Sequence, residues 1–330
     1  MDTVNVKRAI LISLFIIAIN NCYSQYATLV NIGSIENKFI KAKMDKNATK
    51  LLSEINYSFA KGTVPSLSGI EMTTNAKSRL LALWETSPFR CKETEIIDNI
   101  LINGPDKMEL RNILLFMKKA NSSDQNTEAR IEFTNSGIID DFLLTIDYNQ
   151  WITVRQEGTD VKDLRRREII LNFVENFKTA YNRKDTSFLN KVFSEYALII
   201  VGKVIEVKLT DGDYRAPKLL RQMVYTISNK TTYLQKLQNI FDANSYMNID
   251  FKELRVVQHD IKPDIYGVSF WQSWDTPGYK DKGYVFLLLD FKNEDNPIIH
   301  VRTWQPNVGE DGRKIRSDEL IDIGSFGNIQ

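Results

Sequence analysis

Asp290, His300, Arg302 and Trp304 are the residues whose types and spacing suggest chemistry in this chain of 330 residues. Asp290 ends the apolar run from Tyr284 to Leu289, and a carboxylate desolvated there is a candidate general base. The competing reading makes it the first polar residue at a strand end. His300, Arg302 and Trp304 alternate in sequence, so an extended strand puts all three on one face and Ile299, Val301 and Thr303 on the other. Together the three could bind an anion, guanidinium to carboxylate with the indole as a flat wall, and His300 offers a second candidate base. The same alternation also describes a polar outer face whose tryptophan packs against a neighbour. Trp271 and Trp274 are three residues apart, so a regular strand points them opposite ways, one into the core and one toward a mouth or an interface.

Other chemistries lack their residues. His259 and His300 are the two histidines, and neither lies at ligand spacing from another histidine or a cysteine, so no metal is expected. Glycine-rich phosphate loops, nucleophile motifs and dinucleotide fingerprints are missing, so no cofactor is expected either. Forty-three Lys and Arg against 42 Asp and Glu leave a net charge of +1, without the field that gathers nucleic acid. Arg165-Arg166-Arg167 therefore reads as a solvated or salt-bridged helix face.

The first 24 residues differ from the rest. Lys7 and Arg8 precede the apolar run Ala9 to Ile19, too short to span a bilayer and suited to an export signal. Small residues favour cleavage after Ser24, giving an exported protein of the periplasm or cell envelope. The alternatives are a lipoprotein anchored at Cys22, which would bring the chain to a membrane, and an uncleaved anchor. Asn20 and Asn21 before that cysteine disfavour lipidation. With Cys22 removed, Cys91 has no disulfide partner and reads as a buried structural residue.

These side chains need a scaffold, and its elements show in the periodicity. Helical stripes span Glu36 to Ala60 and Thr74 to Glu85, with Thr74 or Asn75 able to cap the second. Strand-like runs come next at Thr94 to Ile102, Glu109 to Met117, Ala129 to Phe133 and Ile138 to Ile146, with a turn at Asn103-Gly104-Pro105. The polar stretch Arg155 to Asp163 sets a domain boundary near residue 160. Ile170, Phe173, Val174, Phe177 and Tyr181 then form one helical face, and a short helix begins after Asp185. Ala197 to Val207 is a strand and Asp211-Gly212-Asp213 a turn, while the stretch from there to Tyr225 is open, with a hairpin arm one reading. Ser228 can cap a third helix carrying Tyr233, Leu234, Leu237, Ile240 and Phe241. Four strands close the pattern, at Phe251 to Gln258, Tyr266 to Trp274, Gly283 to Phe291 and Ile298 to Gln305, as an antiparallel meander. Residues 307–330 read as a polar tail, mobile or loosely docked.

The stretch Phe173 to Asp185, the segment Leu189 to Val201 and the closing Ile299 to Pro306 resemble the nuclear transport factor 2-like superfamily, especially its SnoaL-like branch and exported bacterial members. The resemblance covers residues 165–306. It implies an α+β cone, three helices packed on a curved antiparallel sheet around a pocket. A second α+β domain at 25–160 precedes it, and a degenerate second copy of the cone is one reading of that domain. Catalytic members of the superfamily place a carboxylate or histidine base in the pocket beside a hydrogen-bonding group. Asp290 and His300 would be the catalytic candidates here, and Tyr181, Trp271, Arg302 and Trp304 the ligand-binding ones. The expected role is a non-catalytic binding or scaffolding module for a protein partner or small ligand, with a homodimer through the sheet face as one assembly. The alternative is a SnoaL-like isomerase, cyclase or lyase acting on a small apolar or anionic substrate.

Overall fold

The computed structural model describes residues 25–102, 107–118, 126–209 and 218–326. The segment expected to be an export signal, with Cys22, and the turns expected at Asn103-Gly104-Pro105 and Asp211-Gly212-Asp213 lie outside the described residues. The chain divides into two compact units between Thr145 and Ile146.

The first unit opens with β1 (Leu29–Gly33), α1 (Lys38–Lys61) and α2 (Thr74–Thr86). Asn37 starts α1 by accepting the N–H groups of Phe39 and Ile40, and Gly62 ends it in the left-handed region at φ 67°. Thr73 caps α2, one residue before the positions the sequence suggests. Next come β2 (Phe89–Cys91), β3 (Glu95–Asn99), β4 (Leu101–Ile102), β5 (Lys107–Met117), β6 (Asn126–Thr134) and β7 (Ile139–Thr145). One sheet runs β2-β5-β6-β7 with β4 also on β5, while β1 pairs in parallel with β3. Met44, Leu51, Leu52 and Ile55 of α1 share its core with Leu80 and Leu83 of α2 and Ile131 and Phe142 of the sheet. Cys91 is buried in this unit, and burial pushes its thiol up from the usual range.

The second unit begins with α3 (Tyr148–Gln156), whose N-cap Asp147 accepts from Asn149 and Gln150. The division therefore falls ahead of the polar stretch that suggests a boundary near residue 160. The unit continues with α4 (Val161–Asn182), α5 (Thr186–Val192), β8 (Phe193–Leu209), β9 (Lys218–Asn229), α6 (Lys230–Ala243), β10 (Asn248–Gln258), β11 (Ile265–Asp275), β12 (Lys280–Asp290) and β13 (Ile298–Pro306). From Lys218 onward the stretch before Tyr225 is thus a strand paired antiparallel with β8, and the α6 cap is Asn229, one residue beyond Ser228.

Six strands lie in the order β10-β11-β12-β13-β8-β9; the β13–β8 pair is parallel and the other pairs antiparallel. Helices α4, α5 and α6 with this sheet make the order of helices and mostly antiparallel strands that the sequence resemblance implies for a cone. The first unit also opens with two helices before most of its strands, but among the described residues it has no counterpart of α6 within its strand run.

Local chemistry fixes the cone. The stripe Ile170, Phe173, Val174, Phe177 and Tyr181 is buried as its spacing predicts. Asn182, fully buried, donates to the Ile249 carbonyl at 2.9 Å and accepts the Ile249 N–H at 3.0 Å, tying the end of α4 to β10. Lys184 turns the chain at φ 57°, Asp185 N–H returns to the Ala180 carbonyl, and the Asp185 carboxylate caps α5 at Phe188. Arg165, Arg166 and Arg167 all form ion pairs: Arg165 and Arg166 with Glu294, Arg166 also with Asp264, and Arg167 with Asp163 and Glu157.

The segment after β13 is not a loose polar tail over its described length. Ile321, Ile323 and Phe326 pack on Phe286, Leu288 and Val301 of the outer sheet face, with the Phe286 and Phe326 rings stacked at 5.6 Å. Its polar composition hides three well-spaced apolar residues that cover what would otherwise be bare strand.

Candidate functional site

On β11, Tyr266, Val268, Phe270 and Gln272 are buried on the inner face of the cone. Pairing register then assigns Val285, Leu287 and Leu289 of β12 to that face, and Tyr284, Phe286, Leu288 and Asp290 to the outer one. Strand β13 breaks the alternation: Val301 pairs with Leu288 and Ile299 with Leu289, leaving His300 as an extra residue, a β-bulge. The bulge turns His300 outward with Val301, while Arg302 and Trp304 point inward.

His300, Arg302 and Trp304 are therefore not on one face as regular alternation predicts, and Ile299 lies with the inner residues. Asp290 and His300 meet each other on the outer face, His300 Nε2 at 3.1 Å from Asp290 Oδ2, in a cavity of about 680 Å³ lined also by Leu288, Lys292 and Phe326. Asp290 also accepts the Lys292 N–H at 2.8 Å. The two candidate bases are brought together, but in a different cavity from the candidate anion holder.

Arg302 and Trp304 line a second cavity, of about 530 Å³, between α6 and the inner sheet face. Helix α6 contributes Tyr233, Lys236, Leu237 and Ile240, and β11 contributes Gln272 and Trp274. Trp271 points away from this space, between the Lys252 and Lys282 ammonium groups at 6.0 and 5.9 Å from its ring. The two tryptophans of β11 thus face opposite ways, and the inward one is Trp274. Gly283 makes the Trp304 position possible, because a Cβ there would lie 2.8 Å from the Trp304 ring and 2.2 Å from the Gln305 carbonyl oxygen.

Arg302 is 4% exposed, its Nε is buried without an acceptor, and no carboxylate among the described residues lies within ion-pair distance of it. Its guanidinium carbon sits 5.2 Å from the centroid of the Tyr233 ring. Burial opposes its charge, and the Tyr233 and Tyr181 phenols outweigh burial, so its pKa moves upward and it remains a cation. Tyr181 does not line the cavity; it is fully buried behind it, its hydroxyl 2.5 Å from that of Tyr233. Burial, then the neighbouring Tyr233, push the Tyr181 phenol well up, with Arg302 opposing, so it is a neutral hydrogen-bonding group at ordinary pH.

At the rim, Lys236 is exposed and has no ion-pair partner among the described residues. Asp281 is the carboxylate among the lining residues, and it accepts a hydrogen bond from the Tyr279 hydroxyl. The site can therefore hold a negative charge against Arg302, with indole and phenol walls around it. Tyr233, Lys236 and Gly283 escape sequence reading: Tyr233 sits in an ordinary helical stripe, and the other two carry no local pattern. Among the described residues no group of three His, Cys, Asp or Glu side chains is placed to hold a metal ion.

No protein family model matches the chain, and no curated protein matches it. Solved structures similar to it include Bd1075 of Bdellovibrio bacteriovorus, at 16% identity and a TM-score of 0.33, covering 45% of this chain and 43% of that one. The chain thus spans less than half the length of Bd1075. An NTF-2 like protein of unknown function from Shewanella oneidensis MR-1 is 13% identical with a TM-score of 0.29, covering 42% of this chain and 96% of that one. ActVI-ORFA from Streptomyces coelicolor is 7% identical with a TM-score of 0.30, covering 42% and 95%.

Proposed function

We propose that the protein is an exported cell-envelope binding module that holds a small molecule in the inner cavity of its second unit and performs no chemistry on it. The observation that carries this reading is the separation of Arg302 from the Asp290–His300 pair onto opposite faces of the sheet. A SnoaL-like isomerase, cyclase or lyase needs base and anion holder around one reacting centre. A binding module needs a preformed, mainly apolar cavity with a few polar groups that orient the ligand. The inner cavity, at about 530 Å³, falls within the size range of small-molecule sites.

Support for export comes from Lys7 and Arg8 ahead of the Ala9 to Ile19 run, with cleavage after Ser24. A small ligand is preferred to a protein partner because Ile321, Ile323 and Phe326 already cover part of the outer sheet face. A second copy approaching that face would meet the chain's own C-terminal segment.

The test is titration with the neutral fluorophore N-phenyl-1-naphthylamine, followed by its emission, on the protein and on Thr226→Trp. Thr226 is an exposed residue of β9 on the cavity wall, so the indole fills the space without disturbing the core. Saturable binding that Thr226→Trp abolishes at unchanged melting temperature supports the reading. Binding that survives the filled cavity, or none at all, contradicts it.

A further inference from the structure

We infer that the inner cavity selects its ligand by charge: it takes a carboxylate carried on a flat, apolar body, with the Arg302 guanidinium as the group that receives it. This rests on the small-ligand reading above and adds the chemical class.

Arg302 is buried in the cavity wall with an orphaned Nε and no carboxylate partner among the described residues. A buried guanidinium without a counter-ion is an incomplete arrangement, since folding removes its water and supplies no opposite charge. The π face of Tyr233 offsets part of that loss, but a neutral ring leaves the net charge in place. Tyr181 and Tyr233 are bonded to each other through their hydroxyls, and neither is a carboxylate. Asp281 is engaged by Tyr279. The charge balance at Arg302 is completed from outside the chain.

Monoanions match this site better than dianions. The lining offers one buried cation, Arg302, and a single rim ammonium at Lys236. Trp274, Trp304 and Tyr233 present aromatic surfaces, which favour a planar body over a branched aliphatic one.

The test uses 2-naphthoate and its neutral isostere 2-naphthamide, titrated calorimetrically into the protein and into Arg302→Gln and Arg302→Lys. The expected result is roughly tenfold or greater preference for the carboxylate, the scale of a charge-assisted hydrogen bond. Arg302→Gln should bring that ratio to about one, and Arg302→Lys should keep part of the preference. Equal binding of both probes to the unaltered protein, lost from each in Thr226→Trp, overturns the charge selection and leaves the small-ligand reading standing. Failure of both probes to bind overturns the two together. Should Arg302→Gln not fold, Arg302→Lys and the comparison of the two probes on the unaltered protein still decide the outcome.

Discussion

The Arg302 guanidinium lies 5.2 Å from the centroid of the Tyr233 ring, and no carboxylate among the described residues shares its pocket wall as an ion pair. A cation–π contact in a desolvated place contributes about 2 kcal/mol, less than the several kcal/mol that burial of a charge costs. On the proposed reading, Arg302 is held at some expense of stability.

Replacing Arg302 with Met is therefore expected to leave the fold as stable or to stabilise it by up to about 2 kcal/mol. Urea unfolding at pH 7 measures this. A loss above about 2 kcal/mol would mean that Arg302 holds the cone together.

Asp290→Asn and His300→Ala should not touch the inner cavity, because the bulge at His300 puts both side chains on the outer face. Ligand affinity in the inner cavity should stay within about twofold, and stability should fall by no more than about 1 kcal/mol, the scale of a partly exposed pair. A tenfold change in affinity would contradict the assignment of faces.

How far the sequence foretells this arrangement depends on the residue. The α4 stripe from Ile170 to Tyr181 was legible because its whole apolar face is buried, so period and burial agree. The order of faces along β13 was not, because a bulge is set by how two neighbouring strands pair and leaves no mark in alternation. Strand β9 was obscured for a related reason: at the sheet edge, Leu220, Val224, Tyr225 and Ile227 are all exposed and no inside-outside pattern develops. Arg302 and Trp304 could be singled out by type, whereas Tyr233 looked like ordinary helix core. Only the fold brings that ring over the guanidinium.

Asn182 joins α4 to β10 by a reciprocal pair with the backbone of Ile249. Asn182→Ala leaves a buried N–H and carbonyl without partners, and about 2 to 4 kcal/mol of stability should be lost. Denaturant unfolding checks this, and a loss under about 1 kcal/mol would show that the backbone finds other partners.

Asp163 couples stability to pH. Burial pushes its carboxyl up, but the Thr159 N–H, Arg167 and Tyr266 together outweigh it and hold the carboxyl below its usual value. The stabilisation is therefore fully present above the unfolded carboxylate value of about 4 and is lost as pH falls through the lower folded value. Asp163→Asn should destabilise by about 2 to 3 kcal/mol at neutral pH, with the gap from the unaltered protein narrowing below about pH 4. A gap that stays constant down to about pH 2 would show that the charge of Asp163 is not what stabilises the fold.

The most direct measurement is a crystal structure of the protein soaked with 2-naphthoate. The account predicts the ligand in the inner cavity, its carboxylate about 2.7 to 3.0 Å from the Arg302 guanidinium and its rings against Trp274 or Trp304. A ligand lodged instead beside Asp290 and His300 on the outer face, or one whose carboxylate turns away from Arg302 toward solvent, would contradict it.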